Sequence, residues 1–252
     1  MKNLSFLLIL LLAMSCTGGN KTSSNTAQNG AGEKIAASVD STLSKPAATS
    51  APVTTKIDNS MSGRKTVLIY GPASKVTCSD GSFYEFNKDG NIVRKKDDNS
   101  NPVQEYRYVN KNRYILQNEP YNITYTKNSR HEIWDNPEKL ETFYEFDSNG
   151  RLSKEGKKDY YDFSVQYYYK DNELLPYKVV EVYGSDNGDE QTTTSLYNYK
   201  TIDSNGNWLS CDIKNTIVKD TNDGFDSNGT EKRKQEAKKE NKSLTRQIEY
   251  YQ

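Results

Sequence analysis

From residue 70 onward the apolar and polar positions of the chain alternate. Tyr161, Phe163, Val165, Tyr167 and Tyr169 hold every second place, with Asp162, Ser164, Gln166 and Tyr168 between them. A period of two over that length predicts a β-strand with one packed face and one wetter face. Shorter alternations occur at Tyr121/Ile123/Tyr125, Thr192/Thr194/Leu196 and Leu209/Cys211/Ile213. No stretch after residue 64 carries a clear apolar period of 3.6. The segment 230–243, TEKRKQEAKKENKS, consists of helix formers without an apolar face. It reads as a charged, solvated insertion ahead of a last strand, SLTRQIEYYQ.

Between these strands one phrase recurs. YEFDSNG stands at 144–150, YEFNKDG at 84–90, and DSNG again at 203–206 and 226–229. Asp147 suits the start of a type I turn, because its carboxylate accepts from the backbone two residues on. Ser148 and Asn149 suit the middle, and Gly150 supplies the positive φ that follows. That combination is a common hairpin connection, closed by a glycine bulge. It places Phe146 opposite Leu152 on one face of the ladder. The same offsets set Phe86 against Ile92 around Gly90, and Ile202 against Trp208 around Gly206. Tyr108 and Tyr114 keep the spacing without a glycine. The expected architecture is all-β, an antiparallel meander of repeated hairpins forming an open, twisted sheet or a partial barrel.

The N-terminal quarter differs. Lys2, the apolar run LSFLLILLLA and the short AMSC form an export signal ending at Cys16. This run is too short to span a bilayer, which takes about 20 apolar residues. It resembles bacterial lipoprotein signals, with Ser15 as the small residue before the cysteine and Ala13 where leucine is usual. The resemblance implies cleavage before Cys16, lipidation of Cys16 and, since Thr17 rather than Asp follows, an outer-membrane destination. Residues 17–63 contain no aromatic residue and are rich in Ser, Thr, Ala, Asn and Gly. Such a segment buries too little apolar surface to offset its ordering entropy and reads as a disordered tether. The division is therefore 1–16 signal, 17–63 tether and 64–252 repeat-containing β domain.

YEFDSNGRL is similar to the YD repeat of RHS-type proteins, and DSNGNWLS with RQIEYY resembles the ending of uncharacterised Bacteroidota lipoproteins. The resemblance implies repeated hairpins and brings no chemistry with it.

Composition narrows the function. The chain has 34 basic and 34 acidic residues, so no field favours nucleic acid. Hydrophobic residues make up only 33%, and 19 tyrosines supply much of what can be buried. The one histidine, His131, rules out His-rich zinc motifs. A Ser–His–acid arrangement around it lacks a Gly-x-Ser-x-Gly elbow. DTNDGFDSNG, 220–229, fails as a calcium loop because Phe225 stands at the sixth place, where glycine is needed, although Glu231 stands at the twelfth. No catalytic residue, metal site or cofactor is expected. Once Cys16 is assigned to lipid, Cys78 and Cys211 remain, either as a disulfide across the sheet or as two separately buried thiols. Trp134 and Trp208 are candidate aromatics for stacking on sugar rings, or else cross-strand packing. The expectation is a non-enzymatic lipoprotein held at the outer membrane by its N-terminal lipid, binding or scaffolding an envelope protein or glycan. The alternative is a carbohydrate-binding or hydrolytic protein of polysaccharide handling.

Overall fold

The computed structural model describes residues 61–97, 102–158, 162–185, 188–225 and 228–252. The signal, Cys16 and the tether to residue 60 lie outside them. A one-turn helix α1 (Gly63–Thr66) precedes the strands β1 (Ala73–Cys78), β2 (Phe83–Phe86), β3 (Ile92–Lys96), β4 (Gln104–Asn110), β5 (Arg113–Leu116), β6 (Glu119–Tyr125) and β7 (Ser129–Trp134). There follow β8 (Glu141–Phe146), β9 (Leu152–Lys158), β10 (Asp162–Tyr168), β11 (Lys178–Gly184), β12 (Glu190–Ile202), β13 (Trp208–Phe225) and β14 (Glu231–Tyr250). Each strand pairs antiparallel with the next, and β14 returns to β1 with Val76 opposite Ile248 and Cys78 opposite Arg246. The meander is as expected, but the sheet closes fully into a barrel. Closure leaves no edge in the barrel body.

The repeated turns have the predicted geometry. Gly90, Gly150 and Gly206 all have positive φ, at 81°, 71° and 86°. The Asp147 carboxylate accepts from the Asn149 and Arg151 amides, both at 2.9 Å, and Asp203 repeats this with Asn205 and Asn207. Phe146 lies opposite Leu152, Phe86 opposite Ile92, Tyr108 opposite Tyr114 and Ile202 opposite Trp208. The last pair does not share the core, however. Register irregularities between Tyr199 and Ile202 turn Ile202 outward, where it is 51% exposed, while Trp208 is 2% exposed.

Two further expectations are corrected. The segment 230–243 is not an insertion: from Glu231 it is the first part of β14, registered on β13 without a break from Ser210 opposite Thr245 to Asn222 opposite Arg233. Pairing with a long neighbour overrides the helix propensity of Lys, Glu and Ala, which is a weak prior. Residues 231–239 are exposed on both faces, and β1 pairs with β14 only from Arg246 to Tyr250, so this part of β14 is paired on one side alone, to β13. In β12 the stripe ending at Leu196 faces outward, and Tyr197 and Tyr199 take the inner face.

The inner wall explains the tyrosine excess. Tyr84, Tyr114, Tyr144 and Tyr167 are buried, and Tyr106, Tyr108, Tyr121, Tyr169, Tyr197 and Tyr199 are half-buried. These rings pack into the interior clusters or stack on one another, as Tyr114 does on Tyr121 at 5.0 Å. A tyrosine fills a wide lumen while its hydroxyl reaches a polar partner. These tyrosines therefore supply much of what the interior buries.

One end of the lumen is occupied by Met61–Tyr70. Leu68 packs among Tyr144, Phe146, Leu152 and Val165, whereas Ile69 packs against Val76, Tyr84 and Phe86 near the seam. The turns of the repeats grip this segment. Arg64 donates to the carbonyls of Asn87 and Lys88, and its amide donates to Gly90 O at 2.9 Å. Asn207, fully buried, accepts from the Tyr70 amide and donates to the Tyr70 carbonyl. The recurring phrase thus builds a row of turns at one end that holds the incoming chain.

Candidate functional site

Buried charge marks the places where this interior could do more than pack. The first lies where β1, β13 and β14 meet. The alternation Leu244, Arg246, Ile248, Tyr250 points Arg246 into the lumen, where it is 4% exposed. Its guanidinium lies over the Trp208 ring at 4.0 Å, and its Nε donates to the Trp208 carbonyl. Nη1 and Nη2 have no hydrogen-bond partner among the described residues. Burial pulls its pKa down to about 10, and no carboxylate forms an ion pair with it among the described residues. Cys78 and Cys211 flank it from the strands on either side of β14. Both cysteines are thiols, and burial pushes the Cys211 thiol up to about 12.

The second is a satisfied network. Arg130, 1% exposed, donates to Glu132 at 2.9 Å and to the Met61 carbonyl at 3.1 Å, and Tyr114 donates to Glu132 at 2.8 Å. Nearby, Lys95 pairs with Asp97 in the interior. Glu155 accepts from the Tyr167 hydroxyl at 3.1 Å, and burial lifts its carboxyl to about 8. Burial also raises Glu181. These groups order the lumen by hydrogen bonding, and each has a partner or a raised carboxyl.

The third lies on the outer wall. His131 Nε2 is 2.7 Å from Ser129 Oγ, two residues away on the same strand face. Its Nδ1 contacts Glu141 Oε1 across the β7–β8 pair. Burial pushes Glu141 up, but hydrogen bonds from His131 and Lys158 outweigh it and hold the carboxyl low. This is the hydroxyl–imidazole–carboxylate connectivity of a nucleophilic triad. Ser129 Oγ is also bonded to Thr126 Oγ1 at 2.6 Å, and Glu141 is shared with Lys158 at 3.1 Å.

The outer wall is charged elsewhere too, on β1 to β4. Lys75, Glu85, Arg94 and Glu105 stand opposite one another across β1 to β4, paired at 3.3, 3.0 and 3.4 Å. Outward Phe83 is covered by Lys75 and Arg94, and outward Phe143 by Lys154 and Lys158.

Among the residues expected from sequence, Trp208 is sealed under Arg246 and offers no face to a sugar. Trp134 is half-buried, stacked on Tyr121, and donates to Glu119 at 3.3 Å. The two tryptophans do not form one surface. Gly90, Gly150 and Gly206 are turn residues, and Cys16 lies outside the described residues. No group of three metal-ligating side chains occurs among the described residues. Sequence reading missed Arg246, Glu155 and the Ser129–Glu141 connection. For Arg246 a signal existed, a lone charge on the apolar stripe of the last strand.

No protein-family model matches the chain, and no characterised protein matches it. Solved structures with similarity include a porin-like protein from Bacteroides vulgatus, 10% identical, with a TM-score of 0.27, covering 72% of this chain and 99% of that one. Another is a porin-like protein from Bacteroides uniformis, 13% identical, with a TM-score of 0.24, covering 71% and 99%. At such TM-scores the superposition transfers no function. The barrel rests on its own strand pairing.

Proposed function

We propose that this protein is a non-enzymatic lipoprotein whose barrel stands in water at the outer membrane and serves as a binding or scaffolding module of the envelope. The observation that carries the reading is which way the wall faces. The interior holds Tyr84, Tyr114, Tyr144 and Tyr167, the ladder Lys75–Glu85–Arg94–Glu105 points outward, and the outward Phe83 and Phe143 are covered by cationic side chains, with Leu196 and Ile202 exposed on β12. A membrane barrel needs an outward apolar band, and a Lys or Arg facing lipid at the midplane costs about 2–4 kcal/mol. The Met61–Tyr70 segment inside one end also suits a support better than a pore. The test is lipid labelling and fractionation: the wild-type chain takes up a fatty-acid analogue and sediments with membranes, and Cys16→Ala does neither. A Cys16→Ala chain that stays with the membranes overturns the reading.

A second reading, an envelope hydrolase, is favoured by one observation, the Ser129–His131–Glu141 connectivity. It weighs less, because both end members are shared with other side chains and no facing wall encloses the trio. Labelling by a fluorophosphonate probe decides it. Labelling abolished by both Ser129→Ala and His131→Ala makes the hydrolase the better account, and an unlabelled wild-type protein removes it.

A further inference from the structure

Beyond the seam, β14 keeps one edge to itself. Its pairing with β1 runs only from Arg246 to Tyr250, and just past that end the Ser79 amide donates to the Thr245 carbonyl at 2.8 Å. Its pairing with β13 continues as far as Asn222 opposite Arg233 without a break. Among the described residues, no strand pairs along the other edge from Glu231 to Leu244. In an antiparallel strand the N–H and C=O of one residue point to the same side, and that side alternates along the chain. Thr245 turns both groups toward β1, its amide meeting Ser79 Oγ at 3.2 Å. On the alternate set, the Lys234 carbonyl faces β13, where Thr221 Oγ1 donates to it at 3.2 Å. Asn241, Lys239, Ala237, Gln235 and Arg233 therefore turn their backbone groups to the open edge. Such a row is a template for another strand.

We propose that this edge pairs with the same edge of a second copy of the chain, antiparallel about a two-fold axis at Ala237. The charges of β14 select both partner and register. Lys234, Glu236, Lys238 and Glu240 share one face and alternate in sign, with Lys234–Glu236 and Lys238–Glu240 paired at 2.7 and 2.6 Å. A sequence of that kind complements itself when run backwards. With Ala237 opposite Ala237, Lys234 stands opposite Glu240 and Glu236 opposite Lys238. On the other face Gln235 meets Lys239 and Arg233 meets Asn241. An axis at Lys238, the other choice that spans the open edge, sets Glu236 against Glu240 and Lys238 against itself. The Ala237 axis thus uses the edge from Glu231 to Ser243, opposes unlike charges, and puts the smallest side chain of the edge at the centre. Lys232 and Lys242 meet at its ends, where Lys242 already acts on Glu240 and Glu181 of its own chain. Lysines commonly protect an edge from stray strands, and here their alternation with glutamates admits one partner while refusing others.

The dimer rests on the water-facing barrel and adds a partner to it, so the test uses the full Cys16→Ala chain without detergent. Sedimentation velocity over a range of concentrations should give a species with twice the mass of one chain. Ala237→Pro removes the axial N–H, which the barrel itself does not use, and proline is tolerated on an edge of this kind. This variant should keep the β-sheet circular dichroism spectrum and sediment as a monomer. Glu236→Lys with Glu240→Lys should weaken the dimer on the order of tenfold or more. Hydrogen-bonded pairs hold their Cα atoms about 5.5 Å apart, within reach of a disulfide. Ala237→Cys should therefore cross-link two chains under mild oxidation. Lys239→Cys, which faces Gln235, should not, and neither should the parent chain with Cys78 and Cys211 alone. A soluble monomer at every concentration, whether the edge is bare or taken by the tether, overturns the proposal. So does a dimer that survives Ala237→Pro, or cross-linking of Lys239→Cys equal to that of Ala237→Cys. A chain that stays in solution only with detergent fails the water-facing reading and the dimer with it, whereas a soluble monomer fails the dimer alone.

Discussion

The side-chain amide of Asn207 pairs with the backbone of Tyr70 as another strand would. Its Oδ1 accepts from the Tyr70 amide at 2.8 Å and its Nδ2 donates to the Tyr70 carbonyl at 2.9 Å, across 137 residues of sequence. The residue that follows the DSNG turn at 203–206 thus closes the row of turns around the incoming chain. Asn207→Ala leaves both Tyr70 groups without this partner in a site where Asn207 itself is fully buried. The expected loss is roughly 2–4 kcal/mol, read from a denaturant midpoint at constant slope. Hydrogen exchange should rise first at residues 67–71.

Gly150 tests the turn itself. Its φ of 71° is a region that β-branched residues tolerate poorly. Gly150→Val should destabilise by more than about 1 kcal/mol. An unchanged midpoint and slope would show that the turn does not need the left-handed residue.

Glu155 gives the barrel a pH dependence of known sign. Burial raises its carboxyl to about 8 from an ordinary 4.5, so between those values the folded state holds a proton that the unfolded state has released. Stability is then greatest below pH 4.5 with respect to this group and falls as pH rises toward 8, by about 5 kcal/mol. Glu155→Gln should flatten that slope, matching the native protein near pH 5 and exceeding it at pH 9. Parallel stability–pH curves for the two proteins would contradict the burial argument.

The turns were legible because they are local. Asp147 and Gly150 state their conformations within four residues, and the pairings Phe146–Leu152 and Tyr108–Tyr114 follow from loop length alone. Closure was not legible. The seam joins Val76 to Ile248, and neither residue carries a local mark of the other. The side on which the tyrosines would lie was equally hidden, because alternation gives two faces and only closure says which is inside. Residues 231–239 were misread because strand pairing with β13 is non-local, whereas the helix propensity of their Lys, Glu and Ala is visible at once. Arg246 shows what could have been found, a charge in register with Leu244 and Ile248 on an otherwise apolar stripe.

The cysteines bear on the seam. Cys78 and Cys211 stand on the two strands that flank β14, and the structure has both as thiols. Alkylation of protein denatured without reductant should modify both, as read by mass spectrometry. A disulfide-linked peptide pair instead would mean that β1 and β13 approach more closely than the β14 strand between them allows.

The central claim is that the barrel is a water-facing body held by a lipid. The most direct measurement is the solution behaviour of the Cys16→Ala chain extracted and purified without detergent. The account predicts a monodisperse protein with a β-sheet circular dichroism spectrum and a cooperative unfolding transition in detergent-free buffer. A protein that aggregates in that buffer and recovers its transition only in detergent micelles would contradict it.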